Sequence, residues 1–292
     1  MTQQVTVGFV GLGTMGAPMV RRLLAAGFVV VGANRSRAIV DELAGEGMQP
    51  AADAAEVGER ADVVLTALPT EDAVREVAEA LLTTARPGQT VIEHSTISPG
   101  LARQHAARFA DAGADYLDAP VSGGPAGAEA ATLTVMVGGD ADVLERVTPV
   151  LAAFGDPIRR CGDVGAGESI KLVNQLLVGL HTAAAAEAAV FGARLGVDAA
   201  TIAEVVGTSF GGSTMLARNL PRFAEKDYSP ATPVRLLLKD LGLVHDEALH
   251  GEVPLRLGAV AEQLFSEARA RGRLDEDMAA LIELWPSADE VT

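Results

Sequence analysis

In the first half of the chain, short β-rich apolar runs alternate with stretches of helical periodicity. The runs are Val5 to Val10, Phe28 to Ala33, Asp62 to Leu68 and Thr90 to His94, with further short strands expected at Asp115 to Ala119, Leu133 to Val137 and Ile158 to Cys161. Between them, apolar residues recur at helical spacing over Ala17 to Ala26, Ser36 to Gly45, Thr70 to Leu82, Ser98 to Ala112 and Ala141 to Phe154. Strand and helix alternating in this way predict βαβ units and a mainly parallel, doubly wound sheet of the α/β class.

The pattern changes after about Gly165. Gly167 to Leu195 reads as one long helix, rich in Ala from Leu180 to Val190. Shorter helices are expected at Ala199 to Gly207, Thr232 to His250, Pro254 to Arg271 and near Glu276 to Leu284, with no strand among them. The change predicts two domains, a Rossmann-type sheet over residues 1–163 and an all-α domain over 164–292. The short polar tail from Pro286 is expected to fray.

Composition narrows the class. A length of 292 residues suits two domains, and 49% apolar residues suffice for full cores. Cys161 is the single cysteine, so no intrachain disulfide forms. Together with an N-terminus that lacks the charge and apolar pattern of a signal peptide, this predicts a cytoplasmic protein. The most apolar stretch, Leu172 to Leu195, carries Asn174, His181, Glu187 and Arg194, which favours a core helix over a membrane span. A net charge of −16 without a Lys/Arg cluster argues against nucleic acid as a partner. An anionic ligand must then be held by local features, because the overall field repels it.

Three glycine-bearing segments supply such features. Gly11-Leu12-Gly13-Thr14-Met15-Gly16 stands between the first strand and the first helix, the setting of a dinucleotide loop. There the first glycine serves a tight turn, the second the approach of a pyrophosphate, and the third close packing of helix on strand. At the end of the second strand, where NAD binders place an acid, the chain has Asn34-Arg35-Ser36-Arg37. A guanidinium group there suits a 2′-phosphate, so NADP is favoured as cofactor, with NAD possible. Asp41 lies too far along to replace the ribose acid.

The second segment, Asp118 to Pro125, contains Ser122, Gly123 and Gly124 at a strand end, where backbone N–H groups and a hydroxyl suit a carboxylate. The third, Gly165-Ala166-Gly167, opens the long helix that carries Lys171 and Asn174 on one face. Desolvation of a lysine on a largely apolar face favours the neutral amine, the property that acid–base work near neutral pH requires. Thr96 lies on the same binding edge of the sheet, and Lys239-Asp240-Leu241 falls in a later helix. No metal is expected.

Together these segments resemble the β-hydroxyacid dehydrogenase family over essentially the whole chain. The resemblance is carried by Gly8 to Met19, by Asp118 to Gly124 with Thr132 to Gly139, by Gly165 to Asn174, and by Lys239-Asp240-Leu241. It implies that Lys171 is the catalytic lysine, that Asn174 orients substrate, and that Ser122, Gly123 and Gly124 hold the substrate carboxylate. It further implies that Thr96 and Lys239 line the nicotinamide and substrate, that Leu68-Pro69 contact the cofactor through backbone, and that Asn34-Arg35-Ser36 is of the NADP type. A helical second domain and a homodimer or homotetramer built through it are implied as well. Many members place an aromatic residue facing the substrate near Gly211 to Met215, whereas this chain has none between Phe210 and Phe223.

The resulting expectation is hydride transfer between NADP(H) and a small carboxylate-bearing β-hydroxy acid or semialdehyde. Two alternatives stay open at this point. An imine reductase shares the architecture but generally lacks the lysine, and a dinucleotide-binding module without catalysis would have no need of Lys171, Asn174 and the Ser122 loop together.

Overall fold

Alternation of strand and helix is realised through the first half of the chain in a computed structural model that describes residues 5–286. In order come β1 (Thr6–Val10), α1 (Gly16–Ala25), β2 (Val29–Ala33), α2 (Arg37–Gly45), β3 (Gln49–Pro50), α3 (Ala54–Arg60), β4 (Val63–Thr66), α4 (Glu71–Leu82), β5 (Thr90–Glu93), α5 (Pro99–Asp111) and β6 (Asp115–Asp118). Then follow β7 (Val121–Ser122), α6 (Gly124–Ala130), β8 (Leu133–Gly138), α7 (Ala141–Leu151) and β9 (Gly155–Gly162). The remainder is helical: α8 (Ala166–Arg194), α9 (Ala199–Val206), α10 (Thr214–Glu225), α11 (Val234–His250), α12 (Arg256–Ala270) and a 3-10 segment at Met278–Leu284. The polar tail beyond Pro286, expected to fray, lies outside the described residues.

The strands form one sheet in the order β3-β2-β1-β4-β5-β6-β8-β7, with β9 paired to β8. Pairings from β3 through to β6 are parallel, β8 runs antiparallel to β6 and β7, and β9 is parallel to β8. The sheet is therefore mainly parallel, as the alternation predicts. Its strands carry apolar side chains to both faces, because helices cover both. Phe9, Val30, Leu65 and Ile92 join Met19, Leu23 and Phe154 in one core, while their neighbours Val10, Val31, Val64 and Val91 join Val57, Leu81 and Phe109 in the other. Strand order reverses between β1 and β4, which opens a crevice at their carboxyl ends.

Packing divides the chain into two compact units between Lys171 and Leu172, inside α8. In the second unit, Ala185, Ala186 and Ala189 let α8 approach Ile202, Leu216, Leu220 and Phe223 closely. The small side chains of the Ala-rich stretch thus serve close packing. By length and composition α8 is apolar enough to cross a membrane, and only 33% of its most apolar window is buried. It buries one side and leaves Ile170, Val173, Leu177 and Phe191 exposed, so it is a core helix along part of its circumference only.

A buried carboxylate holds the second unit together. Asp277 is fully buried and takes a two-pronged bond from Arg218 of α10 at 2.9 and 2.8 Å. It also accepts the backbone N–H groups of Thr232 at 2.8 Å and Ala279 at 3.0 Å. Burial alone would raise its proton affinity, but the Arg218 guanidinium and these N–H groups outweigh that and hold the carboxyl below its ordinary value of 3.8. Removing one partner of such a pair costs about 3–5 kcal/mol, so Asp277→Ala should lower denaturant-measured stability by that amount at neutral pH. Because the folded carboxyl titrates below the unfolded one, its contribution is complete above about pH 4 and fades as pH falls further. The gap between wild type and variant should accordingly shrink in acid.

Candidate active site

The loop after β1 is shaped by what its glycines exclude. Gly11 has φ +99°, and a Cβ there would lie 2.3 Å from the Ala67 carbonyl oxygen beyond β4. A Cβ on Gly16 would lie 1.9 Å from the Gly11 oxygen. Leu12 is buried, while Gly13 and Thr14 are exposed and Met15 is half-buried. The Leu12 N–H donates to Asn34 Oδ1 at 3.1 Å, which ties the loop to the end of β2. No side chain caps α1 and no acid stands in its first turn. The Ala17 and Met19 N–H groups donate to the Gly13 and Met15 carbonyls and Pro18 has none, so donors for an anion must come from the loop up to Gly16. Arg35 and Ser36 are exposed just past Asn34. Arg37 instead pairs with Asp41 at 2.9 Å one turn along α2.

Neighbouring loops join the same edge of the sheet. The Leu68 N–H, next to exposed Pro69, donates to Ser95 Oγ at 2.7 Å. Ser95 precedes Thr96, and Ser98 rather than Thr96 caps α5. His94 is no proton carrier here: it is completely buried, and burial pushes it down to about 4 against the opposing bond of Nδ1 to the Ala119 carbonyl. It stays neutral at physiological pH.

Ser122 ends β7, and Gly123 and Gly124 follow with φ +132° and +63°, Gly124 opening α6. Ser122 and Gly124 are partly accessible, and Gly123 is exposed. The side chain of Lys171 reaches this segment. Its Nζ donates to the Val121 carbonyl at 2.8 Å, adjacent to Ser122, although the two lie far apart in sequence. Lys171 is 8% exposed.

Asp118, quoted in the motif without a role, explains how α8 begins where it does. Its fully buried carboxylate accepts the N–H groups of Gly165 at 2.7 Å and Glu168 at 2.9 Å. Burial raises the Asp118 carboxyl, and these N–H bonds oppose the rise. Gly138 and Gly167 leave the room: a Cβ on either would come within 3 Å of the Asp118 carboxylate. Buried Glu168 adds a second tie, accepting the Ile97 N–H at 3.2 Å. The strand-end position of Asp118 and the glycine spacing were signals available in the sequence.

In the helical unit, half-buried Asn174 donates from Nδ2 to Gln175 Oε1 at 2.9 Å. Gln175 Nε2 in turn donates to Asp240 Oδ2, and Lys239 Nζ lies 2.8 Å from Asp240 Oδ1. Asn174 and Lys239 therefore share one network, with Gln175 and Asp240 as its buried centre. Phe210 is fully exposed, and Phe223 is in the core. Among the described residues no cluster of His, Cys, Asp or Glu could hold a metal ion.

Two family models cover the chain. The NAD binding domain of 6-phosphogluconate dehydrogenase matches residues 6–165, and the NAD-binding domain of NADP-dependent 3-hydroxyisobutyrate dehydrogenase matches residues 165–285. The chain belongs to the β-hydroxyacid dehydrogenase family. It is 39% identical to an L-threonate dehydrogenase of Cupriavidus necator, with 97% of each chain aligned. It is 37% identical to a 2-(hydroxymethyl)glutarate dehydrogenase of Eubacterium barkeri, over 98% of this chain and 96% of that one. Among solved structures, a 3-hydroxyisobutyrate dehydrogenase of Mycobacterium tuberculosis with L-serine aligns at TM-score 0.88 and 36% identity, covering 97% of this chain and 99% of that one. An imine reductase of Streptomyces aurantiacus aligns at TM-score 0.67 and 20% identity, a likeness of fold alone.

This β-hydroxyacid dehydrogenase is thus an NAD(P)-dependent oxidoreductase of the hydroxyacid dehydrogenase class. Its first loop fits the dinucleotide. Gly11 and Gly16 are required by the protein's own backbone, whereas a Cβ on Gly13 would meet nothing within 4 Å. The open space over Gly13 is the space a pyrophosphate needs. Gly13→Ala should therefore leave the thermal midpoint within a few degrees yet weaken dinucleotide binding on the order of tenfold or more. Thermal melts beside a nucleotide fluorescence titration check both halves.

Proposed function

We propose that the enzyme moves hydride between NADP(H) and a small, carboxylate-bearing β-hydroxy acid or semialdehyde, with Lys171 as the acid–base group. The observation that carries this reading is the bond from Lys171 Nζ to the Val121 carbonyl, which sets an ammonium beside the Ser122–Gly124 segment. When bound, the nicotinamide supplies or takes up the hydride. In reduction Lys171 gives a proton to the forming alkoxide, and in oxidation the neutral amine takes the hydroxyl proton. Ser122, Gly123 and Gly124 hold the carboxylate through a hydroxyl and backbone N–H groups, fixing the reacting carbon. Asn174 orients the substrate oxygen, and Lys239 and Thr96 line the reacting groups. Leu68-Pro69 contact the cofactor by backbone.

The preference for NADP rests on Arg35, exposed beyond β2 where an NAD enzyme would carry an acid. An assembly of two or four copies is supported by the uncovered apolar residues of α8 and by Leu257 and Val260 of α12. A cytoplasmic location is in keeping with the single, unpaired cysteine.

Assays of C3–C5 semialdehydes and hydroxy acids with NADPH and NADH test the reading, with a cyclic imine as the rival substrate. Lys171→Ala should cut turnover by roughly 10²–10⁴ and leave NADPH binding nearly intact. Strong residual turnover by that variant would remove the lysine from its role. Arg35→Ala should raise KM for NADPH on the order of tenfold and change that for NADH little, since only NADPH offers the charged phosphate partner.

A further inference from the structure

We infer that Gln175 and Asp240 form a polarity relay that fixes which end of the Asn174 amide is offered to substrate. The inference rests on the substrate-orienting role proposed above for Asn174. A side-chain amide is nearly symmetric in shape but not in chemistry: one end only donates, the other only accepts. Packing alone distinguishes the two ends weakly, so a fixed hydrogen-bond partner must do it.

Asp240 is that partner. Its carboxylate is ion-paired with Lys239 through Oδ1 at 2.8 Å and accepts at Oδ2. An acceptor at this place obliges Gln175 to present Nε2 to it. The Gln175 Oε1 then faces Asn174, and an acceptor there obliges Asn174 to present Nδ2, as observed at 2.9 Å. Reversing Asn174 would set two carbonyl oxygens against each other. Asn174 Oδ1 is therefore turned away from Gln175, and the amide offers an acceptor, the complement of a substrate hydroxyl. Gln175 and Asp240 are 8% and 6% exposed, so water competes little with these bonds. Both are positioning residues that act through Asn174, and neither is assigned contact with substrate.

The test is a double-mutant cycle on the full-length enzyme. Gln175→Leu removes the relay at nearly constant volume and leaves the Lys239–Asp240 pair in place. It should lower kcat/KM for the hydroxy acid by about tenfold, the usual scale for one mispositioned neutral hydrogen bond. Dinucleotide affinity should stay within about twofold of wild type. In an Asn174→Ala background the same change should cost less than about twofold, because the group it orients is gone. An undiminished loss in that background, or no loss in the single variant, overturns the relay. Should Gln175→Leu fail to fold by circular dichroism, Asp240→Asn is read in the same cycle. Failure of both to fold assigns the pair to stability and also overturns the relay. Wild-type enzyme without turnover on any hydroxy acid or semialdehyde would instead sink the functional reading, and the relay with it.

Discussion

The active-site arrangement depends on one buried carboxylate. Asp118 ends β6 and receives the N–H groups of Gly165, just before α8, and of Glu168 in its first turn, so a strand terminus dictates where a 29-residue helix starts and how it is phased. Phase matters because Lys171 is one turn further on, and a helix rotates by about 100° per residue. A start displaced by a single residue would swing the ammonium away from Val121. Two glycines, Gly138 and Gly167, exist to keep the space into which the carboxylate fits. Glu168 repeats the device toward the Thr96 loop through the Ile97 N–H. Desolvating two acids in this way is unfavourable in itself, and the bonds they accept offset part of that loss while fixing the geometry.

The same economy answers an electrostatic problem. With a net charge of −16, the protein repels the anionic cofactor and substrate that its family uses. Attraction must come from short-range donors. The glycine loop leading into α1, the exposed Arg35 and the Gly123-Gly124 segment all lie at the carboxyl edge of the sheet, where strand order reverses or a strand ends. Asn34 and Ser95 matter for the same reason. Each occupies a backbone N–H, of Leu12 and Leu68 respectively, and so locks a loop before any ligand arrives. Preorganised donors lose less entropy on binding than loops that must order.

Much of this was legible along the chain, because periodicity and glycine placement are local properties. The strands β1, β2, β4 and β5, the helices between them, the helix carrying Lys171 and the glycine loop all follow from residue patterns within a few turns. What escaped has physical reasons. Helix α10 contains Pro221 and follows Gly211-Gly212, residue types that ordinarily break helices, yet Ser213 caps it and its apolar face is buried by the rest of the unit. Helix α6 opens with Gly124 and Pro125 and resembles a turn by composition. Helix α3 has a cap in Asp53 with a reciprocal bond from the Ala52 N–H to Glu56, a signature that could have been found. The Met278–Leu284 segment was expected as a helix and is wound as 3-10, its start held by Asp277. The Asn174–Gln175–Asp240–Lys239 network joins residues distant in sequence, and no local pattern encodes such a pairing.

The proton-transfer role proposed for Lys171 contrasts with what the sheet edge does to a histidine. His94 stands at the end of β5 beside the proposed nicotinamide contact, in the position where a catalytic histidine would be convenient. Its ring is packed edge-on against Phe154 with centroids 5.5 Å apart, and burial holds it neutral down to about pH 4. With Nδ1 committed to the Ala119 carbonyl, it serves the fold. A group on a helix surface escapes that fate, because a long flexible stem can carry its charge out of the apolar layer while the backbone stays packed. Lys171 does this by reaching to the Val121 carbonyl.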